Sequence, residues 1–173
     1  MAAGLIKNMK RCWNWLMECV LPAFCLGCNK EGSFLCESCL QNIPLQKTQV
    51  CPLCYAKNGN GMVCQKCIRP DFYLDGVISA AKFEEKSLLQ RCIHTMKYDF
   101  VEALAEPLGK MLYQTMKRNF EKNSILCPVA LHPKRLRWRG FNQAEKLVFI
   151  LSEMAQKDGI APHVICALER ITF

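Results

Sequence analysis

The chain has 173 residues, 51% apolar and 22% charged, a balance that allows a packed core, excludes wholesale disorder and is too short for a large multidomain enzyme. Thirteen cysteines and a formal charge of +8, from 23 Lys and Arg against 15 Asp and Glu, depart from an ordinary domain, and the charge points to an anionic partner. Residues 3 to 20 place Leu5, Met9, Trp13, Leu16 and Val20 at helical spacing, with Lys7, Asn8 and Arg11 largely opposite. Residues 1–24 therefore read as an amphipathic helix that docks on its own domain, a membrane surface or a partner. The apolar run from Cys19 to Phe24 is short, is broken by Pro22 and precedes no small-x-small cleavage site, so it does not read as a secretory signal. No stretch reaches the roughly 18 apolar residues of a membrane span. A cytoplasmic protein is expected, in which close cysteine pairs mean metal or redox chemistry rather than disulfides.

Residues 25–70 change character, with many cysteines and turn formers such as Gly59-Asn60-Gly61 and too few large apolar residues for a core of their own. Eight cysteines form four Cys-x-x-Cys pairs: Cys25 and Cys28, Cys36 and Cys39, Cys51 and Cys54, Cys64 and Cys67. The arrangement is an internal repeat, since Cys25 to Cys51 is 26 positions and Cys36 to Cys64 is 28. Two residues between ligands let a tight turn aim both sulfurs at one ion, and two such turns complete a tetrahedron. Two zinc ions are expected. The simplest pairing puts one on Cys25, Cys28, Cys36 and Cys39 and the other on Cys51, Cys54, Cys64 and Cys67; an interleaved pairing of first with third and second with fourth also gives tetrahedra. Rubredoxin-like iron would use the same ligands, whereas a thioredoxin-like site would need one pair at a helix start after a strand. A closed shell of four thiolates leaves no position for catalysis, so the metal role is structural. Cys12, Cys19, Cys92, Cys127 and Cys166 stand singly in apolar surroundings and read as core.

From Asp75 onward the pattern is α/β. Val77 to Phe83 reads as a strand, Lys86 to Tyr98 as a helix, and Ala103 to Asn119 as a second helix started or kinked by Pro107. Ile125 to Leu131 reads as another strand, and Asn142 as the N-cap of a helix to about Gln156 carrying Ala144, Leu147, Leu151 and Met154 inward. His163 to Leu168 begins a further strand, and the alternation implies a parallel sheet. Between strand and helix lies a loop, residues 132 to 143, with Lys134, Arg135, Arg137 and Arg139 followed by Gly140. At the carboxyl end of a strand and before a helix N-terminus, such a loop is a cradle for phosphate or pyrophosphate, or a solvated basic turn. Nucleic acid is the other anionic candidate, with Trp138 and Phe141 available to stack on bases. His132, followed by rigid Pro133, is a weak candidate for a general base.

The paired cysteines, then Leu74-Asp-Gly-Val77, Ile93-His-Thr-Met-Lys-Tyr98, and Pro128-Val-Ala-Leu-His-Pro133 with Arg135, Arg139, Gly140, Phe141, Asn142 and Gln143, resemble in their order the ComF family. The resemblance implies a double zinc-ribbon-like region joined to a type I phosphoribosyltransferase-like α/β domain, and a part in DNA uptake during natural transformation. It implies that Lys134, Arg135, Arg139, Asn142 and Gln143 contact the ligand's pyrophosphate. It also implies an acidic pair with a Thr-Thr-Gly turn for phosphoribosyl pyrophosphate, which this chain lacks; Glu84-Glu85 is followed by Lys-Ser-Leu. Residues 71–173 are therefore expected to be an incomplete phosphoribosyltransferase-like domain, inactive as this chain, with phosphoribosyl pyrophosphate bound only by a fuller form. Single-stranded DNA or competence proteins are the expected partners; an alternative is a zinc-ribbon module that binds single-stranded DNA or a protein without enzymatic activity. Eight thiolates and two dications would lower the formal charge from +8 to +4, so the case for an anionic ligand rests on the basic loop.

Overall fold

The computed structural model describes residues 22–121 and 123–171. The amphipathic helix expected in residues 1–24, with Cys12 and Cys19, lies almost wholly outside them. The cysteine-rich segment carries a short helix α1, Glu37–Gln41, and a 3-10 turn at Gln65–Cys67. The rest is mostly helical: α2, Leu88–Tyr98; α3, Ala105–Met116; α4, Pro133–Arg139; and α5, Gln143–Lys157. Strands β1, Ile125–Leu126, and β2, His163–Val164, pair in parallel, Ile125 opposite His163. The chain between them passes through α4 and α5, so the expected alternation survives as one small crossover unit.

The helices begin and end where their residues dictate. Ser87 caps α2, its Oγ accepting from the Gln90 N–H at 3.1 Å, and so moves the helix start two residues past the expected Lys86. Pro107 is tolerated because it falls in the first turn of α3, where a missing N–H costs nothing. Tight 3-10 turns, Glu102–Leu104 and Lys117–Asn119, extend α3 to nearly the expected length. Asn142 caps α5 as expected, its Oδ1 accepting from the Ala144 N–H at 3.0 Å.

Three extended stretches differ from expectation. Val77 to Phe83 forms no strand; it runs beside the cysteine region, touching it through single antiparallel bridges of Gly76 to Met62 and Ala81 to Leu45. Between those bridges the Gln49 side chain takes the place of a backbone partner, donating to the Ser79 carbonyl and accepting its N–H, both at 2.9 Å. The backbones meet closely enough that a Cβ on Gly76 would lie 2.7 Å from the Gly61 carbonyl oxygen. Ile125 to Leu131 is a strand for only two residues, because β2 is equally short and Pro128 has no N–H to continue a ladder. The strand expected from His163 to Leu168 likewise stops at Val164.

One core spans both halves. Leu35, Leu40 and Ile43 of the cysteine region pack with Leu89 and Met96 of α2, Leu108 of α3 and Phe141 before α5. A second cluster joins Tyr113 and Phe120 to Leu151 and Ala155 of α5. Cys92 is buried as expected, but Cys127 and Cys166 are exposed, since they flank a two-stranded pair with little to cover them.

Helices α3 and α5 approach closely at Gly109, where a Cβ would meet Ile150 Cγ2 at 2.7 Å. Gly109→Ala should gain about 1 kcal/mol of helix propensity and lose more to overpacking, commonly about 1–3 kcal/mol. The urea midpoint should therefore fall, and Ile150→Ala in the same chain should return part of the loss; a raised midpoint would contradict this packing. Tyr113 supplies a pH test. Burial, and then the Asp158 carboxylate that accepts from its hydroxyl at 2.6 Å, push Tyr113 from an ordinary 10.0 up to about 12. A raised acid stabilises while protonated, so its contribution is complete below pH 10 and disappears as pH climbs through about 12. The gap in thermal midpoint between wild type and Tyr113→Phe should be constant to pH 10 and then narrow; a gap that widens would refute the assignment.

Candidate metal centre and basic helix

The eight paired cysteines gather into two groups, Cys25, Cys28, Cys36 and Cys39, and Cys51, Cys54, Cys64 and Cys67, each with all four sulfurs within 4.8 Å of one another. This is the sequential pairing and not the interleaved one. Cys25 Sγ lies 3.6 Å from Cys36 Sγ, Cys28 Sγ 3.7 Å from Cys36 Sγ, and Cys54 Sγ 3.6 Å from Cys64 Sγ. A tetrahedron with metal–sulfur bonds of about 2.3 Å has edges of about 3.8 Å, whereas a disulfide would bring two sulfurs to about 2.05 Å. All eight are free thiols set at the spacing of a tetrahedral ion. Four sulfurs and no other donor form a closed, soft ligand shell that could hold one metal each.

The two groups share one backbone design. At the first, the Asn29 N–H reaches the Cys25 carbonyl at 2.8 Å and the Cys25 N–H reaches the Lys30 carbonyl at 2.9 Å; at the second, Tyr55 bonds Cys51 at 3.0 Å and Cys51 bonds Ala56 at 2.9 Å. Asn29 and Tyr55 both take left-handed φ, 60° and 59°. Antiparallel bridges, Phe24 to Glu31 and Val50 to Lys57, close each turn. The second pair of each group begins at an extended residue, Cys36 or Cys64, that opens a helical turn. The repeat legible in the cysteines is thus a repeat of folded turns, resembling two zinc-ribbon-like knots.

The turns also prepare the sulfurs electrostatically. Burial opposes ionisation of Cys25, but the backbone N–H groups of Cys36, Cys28 and Gly27 outweigh it and bring the thiol down to about 6. The matching N–H groups of Cys64 and Cys54 bring Cys51 down to about 6. The fourth sulfurs move the other way: their bonds to Cys36 and Cys64 drive Cys39 and Cys67 up to about 12. With no cation among them, four sulfurs at this spacing cannot all be thiolates.

The groups differ in what surrounds them. Cys25 and Cys39 belong to the main core, and a Cβ on Gly27 would strike Cys39 Sγ at 2.6 Å and Leu88 of α2 at 3.2 Å. Leu53 stands at the corresponding place in the second group. Around that group Tyr55, Ile68 and Tyr73 are exposed. The first site is built into the main core; the second lies outside both apolar clusters, although its Cys51 is fully buried.

Of the residues expected to hold pyrophosphate, Lys134, Arg135 and Arg139 lie on a helix, α4, rather than a loop, and Asn142 and Gln143 cap and begin α5. His132 Nδ1 accepts from the Lys134 N–H at 3.2 Å, Pro133 occupies the first turn, and Gly140 ends α4 at φ 82°. Proline just inside and glycine just past the helix were the readable signal. Arg139 is buried, its Nε donating to the Lys97 carbonyl at 2.9 Å and its Nη1 to Gln143 Oε1. Asn142 caps α5 and donates to the Val129 carbonyl at 3.1 Å. Arg139, Asn142 and Gln143 therefore tie α2, α4 and α5 together, while Lys134 and Arg135 present their charges at the surface. Phe141 is in the core, so only Trp138 of the two aromatics considered for stacking is exposed. Tyr98 and Trp138 line a cavity of about 360 Å³ together with Lys134, Arg135 and Arg139. Tyr98 follows His94 by four positions, which puts both rings on one face of α2, a signal present in the sequence.

No helix among the described residues is long and apolar enough to cross a membrane. No protein-family model, curated protein or solved structure matches the chain.

Native mass spectrometry should find two metal ions per chain. Cys39→Ser, which opens the site inside the core, should abolish much of the helical circular dichroism, while Cys67→Ser should lose one ion and leave the helices in place. Equal damage from both would show that the two sites are equivalent.

Proposed function

We propose that the chain is a ComF-like protein associated with DNA uptake in natural transformation. In this reading zinc fills both tetrathiolate sites as a structural ion, and the phosphoribosyltransferase-like domain lacks, in this chain, the motif that holds phosphoribosyl pyrophosphate. The observation that carries the reading is the tandem of four-sulfur knots standing directly before a helical body that exposes a basic helix, α4. The small parallel crossover through α4 and α5 supports an α/β relationship for that body. Zinc suits a soft, closed shell that needs no redox change, and a colourless holoprotein would separate it from iron. A reducing cytoplasm fits as the setting, because eight neighbouring thiols must stay available to metal. Lys134 and Arg135 are the cations placed to meet an anionic ligand, whereas Arg139 serves the fold.

A second reading, a module that binds a protein partner through its zinc knots, is favoured by the exposed Tyr55, Ile68 and Tyr73 beside the second site. Binding insensitive to salt would indicate that partner, because contacts to phosphates weaken steeply with salt.

Deleting the gene in its host should reduce transformation by added DNA to the level of a strain that takes up none. The wild-type gene should restore it and Cys39→Ser should not. Unchanged transformation in the deletion would overturn the reading. The isolated chain should fail to bind phosphoribosyl pyrophosphate tightly, since half of the expected phosphate site is missing.

A further inference from the structure

A run of rings crosses the face shared by α2, the turn after it and α4. Phe83 lies 6.3 Å from His94, His94 5.5 Å from Tyr98, Tyr98 6.5 Å from Trp138, and Trp138 4.9 Å from Phe100. Tyr98, Trp138 and Phe83 are 54%, 57% and 58% exposed, unusual for side chains whose burial is worth so much. The His94–Tyr98 and Phe100–Trp138 contacts are edge-to-face, at 81° and 77°. Beside Trp138 and Tyr98, Lys134 and Arg135 edge the cavity, with buried Arg139 also lining it.

We propose that this face binds a single strand of nucleic acid, its bases stacked on Trp138 and Tyr98 and its phosphates on Lys134 and Arg135. Exposed aromatic rings next to cations match a chain that alternates bases with phosphates. A duplex has its base faces covered and could use only the cations. Because Lys134 and Arg135 stand on α4 and Tyr98 ends α2, the strand's backbone follows α4 and its bases turn toward α2. A base held between two rings would need parallel planes about 7 Å apart; Tyr98 and Trp138 are tilted by 56°. Each base thus stacks on an outer face. The inference deepens the proposed function by placing its nucleic-acid contact, and it rests on that reading only for the biological purpose of the contact.

The test is fluorescence anisotropy of the zinc-loaded full chain with labelled oligo-dT, and with a duplex of equal length. The single strand should bind more tightly than the duplex. Trp138→Ala should weaken it roughly ten- to a hundredfold with the thermal midpoint unchanged, and the quenching of tryptophan emission on binding should disappear in that variant. Lys134→Gln with Arg135→Gln should reduce the slope of log affinity against log salt by about 0.7 for each phosphate that is no longer neutralised. Phe149→Ala, at an exposed aromatic on α5 that lines a different cavity from Trp138, should bind as wild type does. No binding, equal affinity for duplex, an unaffected Trp138→Ala, or displacement by a mononucleotide at matching concentration would each overturn the proposal. Binding by a protein whose deletion leaves transformation intact would refute the proposed function and leave this site standing.

Discussion

Everything in this molecule depends on making four sulfurs neighbours. Sulfurs separated by 3.6–3.7 Å repel as anions, and without a cation the turns can ionise only part of each set: Cys25 is drawn down to about 6 while Cys39 is driven up to about 12. A bound metal would resolve that conflict, and its binding energy would then be folding energy. At the first site this matters beyond the site itself. Cys25 and Cys39 are packed among Leu89 and Cys92 of α2 and Leu108 of α3, so an ion held there would stand behind the same core that orients the helices. A boundary between a metal module and a helical domain, natural to draw from composition, does not divide the core.

The duplicated turn shows how one local solution can serve two ends. Backbone hydrogen bonds, left-handed residues and closing bridges agree at the two sites, which fixes the ligands. One difference bears on the surroundings: Gly27 admits Cys39 and Leu88 against the turn, while Leu53 stands at the equivalent place. The first turn is thereby pressed onto α2. The second keeps Tyr55, Ile68 and Tyr73 in solvent. In holding helices together Arg139 plays a similar part, with one guanidinium linking the end of α2 to the start of α5.

Features written in short-range chemistry were legible. The eight ligands follow from Cys-x-x-Cys spacing, and the α5 cap from Asn142. The helix α4 was obscured because a dense run of cations suggested a solvated loop, although Pro133 and Gly140 marked its ends. Val77 to Phe83 carries strand-like residues, but whether a strand forms depends on a partner, and the partner is the cysteine region, interrupted by Gln49. The expected ligand residues shared this limit. Arg139, Asn142 and Gln143 look alike in sequence whether they face a phosphate or a neighbouring carbonyl or side chain, and only packing distinguishes the two. The ring track was less legible still, since Phe83, Tyr98 and Trp138 come from three separated segments.

The burial of the first site has a consequence for the order of folding. Its four ligands, Cys25 to Cys39, span fifteen residues, so closing them around an ion costs little loop entropy, whereas the α2 residues that cover them are some fifty positions later in the chain. The ion can be captured by a nascent segment before α2 has been synthesised. When Leu88 and Leu89 arrive, they meet a surface already shaped rather than a flexible one, and a distant contact becomes a docking step. Metal supply during synthesis, more than metal affinity of the finished protein, would then set how many chains reach the native state.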